Sequence, residues 1–135
     1  MIEYRAMLDT NIISDLVRRP RGPVYRQVEA VGPSNICISA LTSAELRYGV
    51  QKKGSERLER EIEKLLTTLD VVDFGPPADI AYGRIRDLLT REGSPIGSID
   101  FLIAAHALSL NVTLITANVR EFSRVPGLVI ENWLD

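Results

Sequence analysis

The 135-residue chain contains one cysteine and one histidine. A single thiol, Cys37, excludes an internal disulfide and any cysteine-rich zinc site. With only His106 to offer an imidazole, a tetrahedral zinc centre is a poor fit, and oxygen-loving metals become the natural candidates. Long hydrophobic runs are missing too. The best, Phe101 to Leu110, covers about ten residues and carries His106, which is too short to cross a bilayer. The N-terminus lacks the basic start and long apolar core of a secretion signal, so a soluble cytoplasmic protein without membrane attachment is expected. Net charge is only −2, and nothing global advertises nucleic-acid binding.

What is present is an ordinary globular composition, 45% hydrophobic and 25% charged, which suits one compact domain over residues 1–135. Basic residues cluster locally at Arg18, Arg19 and Arg21, at Lys52 and Lys53, at Arg84 and Arg86, and at Arg120 and Arg124. Each cluster taken alone reads as a solvated helix face. A fold that gathered them around one cleft would turn them into a rim for a phosphate backbone.

Short apolar segments alternate with helical patterns. Strands are expected at Tyr4–Leu8, Ile36–Ile38, Val71–Val72, Val112–Ile115 and Leu128–Ile130. Helices are expected over Asn11–Arg19, Val24–Val31, Leu41–Gln51, Ser55–Thr68, Ala78–Arg91 and Ser98–Leu110. Pro20-Arg21-Gly22-Pro23, Gly32-Pro33 and Gly75-Pro76-Pro77 punctuate them. The alternation predicts an α/β sandwich around a mainly parallel sheet of four to five short strands.

In such a sheet, ligands gather beyond the carboxyl ends of the strands. Asp9 follows the first strand at such an end. Glu45, Asp100 and Glu121 each sit beside a strand end or helix start. Acids converging there would repel one another unless a hard cation lay among them. That arrangement points to Mg²⁺- or Mn²⁺-dependent chemistry on phosphate esters. Each acid also has a structural reading. Asp9, with Thr10 and Asn11, can cap the next helix. Glu45 can close a capping box, Thr42-Ser43-Ala44-Glu45, or lie in the second turn of a helix capped by Ser39. Asp100 can answer the helix dipole two residues past Ser98, although Ile103, Ala104 and Ala107 mark its face as buried. Glu121 can simply pair with Arg120 or Arg124. His106 reads as a satisfied core or surface histidine, Cys37 as a small core residue, and Trp133 as an anchor for the last strand or a dimer contact.

Four ordered motifs resemble the PIN-domain ribonucleases, in particular the VapC-type toxins of toxin–antitoxin pairs. They are Met7-Leu8-Asp9-Thr10-Asn11; Ile38-Ser39 with Glu45-Leu46-Arg47-Tyr48-Gly49; Ile96-Gly97-Ser98-Ile99-Asp100 running on through Phe101 to Ala107; and Leu114-Ile115-Thr116-Ala117-Asn118 with Arg120-Glu121-Phe122 and Val125-Pro126-Gly127-Leu128. The resemblance implies a PIN-like three-layer α/β/α sandwich. It implies Asp9, Glu45 and Asp100 as metal-binding acids and a fourth acid within Thr116–Phe122. Asn118 stands where some relatives place Asp, and Glu121 where others place Asp or Glu, which bears on a second metal site. Thr10, Asn11, Thr116 and Asn118 would orient the carboxylates. The activity implied is Mg²⁺- or Mn²⁺-dependent endoribonuclease cleavage of a structured RNA such as transfer RNA. A cognate antitoxin would silence it, and the protein would form a homodimer.

Two other classes compete. A phosphotransfer enzyme using Asp9 as nucleophile should carry a second Asp two residues on, where this chain has Asn11. A binding module that kept the fold and lost the chemistry would have little reason to keep Asp9, Glu45 and Asp100 together.

Overall fold

The computed structural model of the protein describes residues 3–134. Five strands form one sheet: β1 (Ala6–Leu8), β2 (Ile36–Ser39), β3 (Asp70–Val72), β4 (Thr113–Ile115) and β5 (Ile130–Glu131). Seven helices connect them: α1 (Thr10–Arg18), α2 (Pro23–Val31), α3 (Ala40–Lys53), α4 (Glu56–Thr68), α5 (Ala78–Arg91), α6 (Ser98–Leu110) and α7 (Val119–Phe122), with a 3₁₀ turn at Pro33–Asn35. The sheet order is β3-β2-β1-β4-β5 and every pairing is parallel.

Parallel strands need crossovers, and here the crossovers cover both faces of the sheet. Side chains alternate accordingly. Ala6 and Leu8 of β1, Ile36 and Ile38 of β2, and Ile115 of β4 enter one core with Ile12, Ile13, Val24, Val28, Leu46 and Ile62. Met7, Cys37 and Leu114 point the other way, into a second core with Ile85, Leu89, Phe101, Ile103 and Phe122. The result is the expected three-layer sandwich. Helix α6 is apolar around most of its circumference, and Phe101 and Ile103–Ala107 are all buried, as suits a helix wedged against the sheet.

Several boundaries differ from expectation. The first strand begins at Ala6, because pairing starts there with Ile36 and Thr113, and the Tyr4 hydroxyl instead donates to Asp70 Oδ2 at 2.7 Å. The last strand is Ile130–Glu131 and not Leu128–Ile130; Leu128 is still in the turn, its amide reaching back to the Val125 carbonyl. Asp70 joins β3, and α7 is a four-residue helix that periodicity does not reveal. Trp133 is buried in the first core and its indole donates to Glu131 Oε1 at 3.1 Å, which makes it an anchor for β5. No helix among the described residues is long and apolar enough to cross a membrane.

Candidate active site

The strand order reverses its direction of growth at β1. The chain adds β2 and β3 on one side of it, then β4 and β5 on the other. Helices leaving β1 and β4 part at that point and open a crevice beyond the strand ends. Asp9 is the residue immediately after β1, and Thr116 the residue immediately after β4.

Asp9 caps α1 and is buried, with both carboxylate oxygens engaged. Oδ1 accepts from the Thr10 amide at 2.9 Å, and Oδ2 accepts from the Thr116 hydroxyl at 2.9 Å and, at a longer 3.5 Å, from the Asn11 amide. The capping and functional readings of Asp9 are therefore compatible, since the cap uses one oxygen. Asn11 cannot turn over, because its carbonyl oxygen accepts from the Ala117 amide at 2.9 Å and so leaves its NH₂ group facing Asp9. Burial raises the Asp9 pKa against the pull of these donors.

Ser39 caps α3, its hydroxyl accepting from the Leu41 amide at 3.1 Å, which places Glu45 in the second turn and removes the capping-box alternative. Glu45 is exposed and accepts from Thr10 Oγ1 at 2.9 Å, so the residue after Asp9 ties α1 to α3. Asp100 lies in the first turn of α6, which is capped by Gly97 and not by Ser98. Its pKa is pushed up to about 7, first by burial, then by its hydrogen bond with Glu121 and by the charges of Asp9, Glu121 and Glu45. Glu121 is held low by the same bond and by a 3.1 Å bond from Asn118 Nδ2, with Arg124 adding to the effect. Asp100 is therefore the more readily protonated of the two carboxyls, and the pair titrates together. The surface-pair reading of Glu121 is too simple, because its main partners are Asp100 and Asn118.

Asn118 is a donor in this arrangement. Its NH₂ group reaches Glu121 and, at 3.5 Å, Asp100, while its backbone amide donates to Thr116 Oγ1 at 3.0 Å. Thr116 therefore accepts from Asn118 and donates to Asp9, linking the two acidic groups. Gly97 is a residue that sequence reasoning left in a loop. A Cβ there would lie 3.2 Å from Asp100 Oδ2, and the Gly97 backbone also bonds Glu121. Only the adjacency of Gly97 to α6 could have signalled it.

The fold thus brings Asp9, Glu45 and Glu121 within range of the Asp100 carboxyl. Among the described residues, no three Asp, Glu, His or Cys side chains are already disposed as a ready cage for an ion. The donor chemistry fits a hard cation all the same: carboxylates, hydroxyls and amides, without sulfur or imidazole. His106 belongs elsewhere. It is buried, its Nδ1 lies 2.8 Å from Ser39 Oγ, and Phe74 meets its ring edge-on.

Residues 6–128 match the family model described as PIN domain. The chain belongs to the PIN-domain family. Among curated PIN relatives, it is 40% identical to ribonuclease VapC2 of Rickettsia felis and 40% identical to the tRNA(fMet)-specific endonuclease VapC of Salmonella typhimurium, each time over 94% of this chain and 96% of the relative. Among solved structures, VapBC2 of Rickettsia felis bound to a DNA fragment from its promoter superposes with a TM-score of 0.88 at 38% identity, covering 95% of this chain and 98% of that one.

Proposed function

We propose that this PIN domain is a metal-dependent endoribonuclease and the toxin of a toxin–antitoxin pair, with a structured RNA, transfer RNA by preference, as its substrate. The observation that carries the reading is the hydrogen-bonded carboxylate cluster at the β1/β4 switch point, in a chain of the same length and fold as VapC ribonucleases. The Salmonella relative is named for a tRNA, and two of the similar solved structures are named VapBC, which supports both the substrate class and an antitoxin partner.

Asp9, Asp100 and Glu45 would hold Mg²⁺ or Mn²⁺, with Glu121 beside them. Such an ion, when bound, lowers the pKa of water and offsets charge on a scissile phosphate. The chain's own residues supply orientation. Thr116, Asn11 and the Thr10 amide fix the Asp9 carboxylate, Thr10 Oγ1 fixes Glu45, and Asn118 bridges Asp100 and Glu121. Asp100 must give up its proton to act as a full ligand, and the three neighbouring carboxylates oppose that loss until a cation balances them. A covalent role for Asp9 would call for a second Asp two residues on, where this chain has Asn11.

The test is incubation of purified, antitoxin-free protein with total RNA and Mg²⁺, beside chelator and Asp9→Asn controls. Discrete fragments that vanish in both controls are expected, and their end sequences identify the RNA. Cleavage that persists in Asp9→Asn would contradict the assignment.

A further inference from the structure

Helices α1 and α3 both start at the sheet edge that carries the acids and run away from it. They are joined at that edge by the Thr10–Glu45 hydrogen bond. Eight residues beyond Thr10 lies Arg18, in the last turn of α1, and eight residues beyond Glu45 lies Lys53, in the last turn of α3. One groove of about 440 Å³ is lined by all four of these residues, with Leu46 and Leu58 contributing to an apolar floor. At 1.5 Å per helical residue the cations stand about 12 Å from the acidic end.

Most other cations near this face have partners. Arg19 pairs with Asp15 at 2.7 Å, Arg47 with Glu63, and Arg21 lies 5.8 Å from the centre of the Tyr25 ring. Arg18 and Lys53 are exposed and, among the described residues, form no salt bridge. The helix dipole favours a cation in a last turn. It favours Lys52 equally, yet Lys52 does not line the groove.

We infer that this groove is the track of the substrate strand, in which Arg18 and Lys53 grip phosphates several nucleotides from the scissile bond and the apolar floor receives sugar and base. Charge complementarity selects the occupant. A polyanion gains from two unpaired cations and is repelled by the acids, so it is held at the far end and meets the acidic end only where a divalent ion balances the charge. The inference rests on the nuclease reading and deepens it.

The experiment measures binding of a labelled oligouridylate to Asp9→Asn protein, which removes cleavage, across a salt series. Arg18→Gln and Lys53→Gln added to that background should each weaken binding about 10-fold and reduce the slope of log K against log salt by about 0.7, the value for one single-strand phosphate contact. Lys52→Gln should match the parent. In protein with Asp9 intact, the two groove variants should raise KM for RNA while kcat holds within about twofold. Unchanged salt slopes in both variants, or an equal loss in Lys52→Gln, would overturn the groove while wild-type cleavage left the nuclease reading standing. Absence of Mg²⁺-dependent RNA cleavage by the wild type would instead overturn the nuclease reading, and the groove with it.

Discussion

Thr116 Oγ1 donates a 2.9 Å hydrogen bond to Asp9 Oδ2 between residues 107 positions apart in the chain. The bond joins the ends of two adjacent strands, and the same hydroxyl accepts from the Asn118 amide at 3.0 Å. Replacing Thr116 with Val keeps the shape and removes both interactions. Loss of an orienting partner of this kind costs about 10- to 100-fold in metal affinity or activity. Cleavage rate measured against Mg²⁺ concentration should show that loss, and a wild-type curve would refute it.

Gly97→Ala tests the close approach of backbone to Asp100. The φ of Gly97 is −57°, which alanine adopts freely, so the fold should tolerate the change. The new methyl would nevertheless sit 3.2 Å from Asp100 Oδ2. Activity should fall while the thermal midpoint stays within a few degrees of wild type.

Asn118→Asp replaces a donor with a fifth carboxylate, placed beside Asp100 and Glu121. Metal-free protein should lose stability, because like charges in one pocket repel. Divalent-ion affinity should rise, since a carboxylate is a stronger ligand than an amide. Calorimetric metal titration, together with melting in the presence of chelator, reads both signs.

His106 contributes one component of the acid dependence of stability. Burial lowers its pKa below the ordinary 6.5, against a weaker opposite pull from the Asp73 backbone. The folded state therefore favours the neutral ring, and below about pH 6.5 the unfolded chain binds the extra proton more readily. Stability from this group is complete above that pH and is lost as pH falls toward the folded-state value. Asp100 and Asp9, whose folded-state pKa values are raised, act in the opposite sense and gain stability as pH falls, so the His106 contribution is read as a difference. As pH falls from 7.5 to 5, the denaturation midpoint of wild type minus that of His106→Gln should fall, and a difference independent of pH would exclude the His106 contribution.

Cys37 sits on β2 with no exposed surface, and burial, with the Asp70 charge, raises its thiol pKa to about 12. Only the thiolate reacts with alkylating reagents. Native protein at pH 8 should resist iodoacetamide over hours, whereas protein in denaturant should be modified promptly.

Much of the fold is legible because its signals are local. Leu8-Asp9-Thr10 marks a strand giving way to a capped helix, and Asn111 after Leu110 marks the end of α6, where it adopts a left-handed conformation with φ of 55°. What escaped depends on partners distant in sequence. Tyr4 has strong strand propensity, but the ladder begins at Ala6 and the tyrosine is drawn off by Asp70. Helix α7 is too short to show a period. Glu121 reads as a surface ion-pair residue because Asp100, its main partner, lies in another helix. Asn118 is among the supporting residues that the motifs indicate, but Gly97 is not: its close approach to the Asp100 carboxylate and its bond to Glu121 depend on side-chain placement that a loop sequence does not show.

The claim on which everything turns is that Asp9, Asp100 and Glu45 bind one divalent ion between them. Calorimetric titration of the purified protein with Mn²⁺ tests it directly, without RNA. Saturable binding to the wild type that is lost or weakened at least 10-fold in Asp9→Asn and in Asp100→Asn is the predicted result. Binding of equal strength in either variant, or none in the wild type, would contradict it.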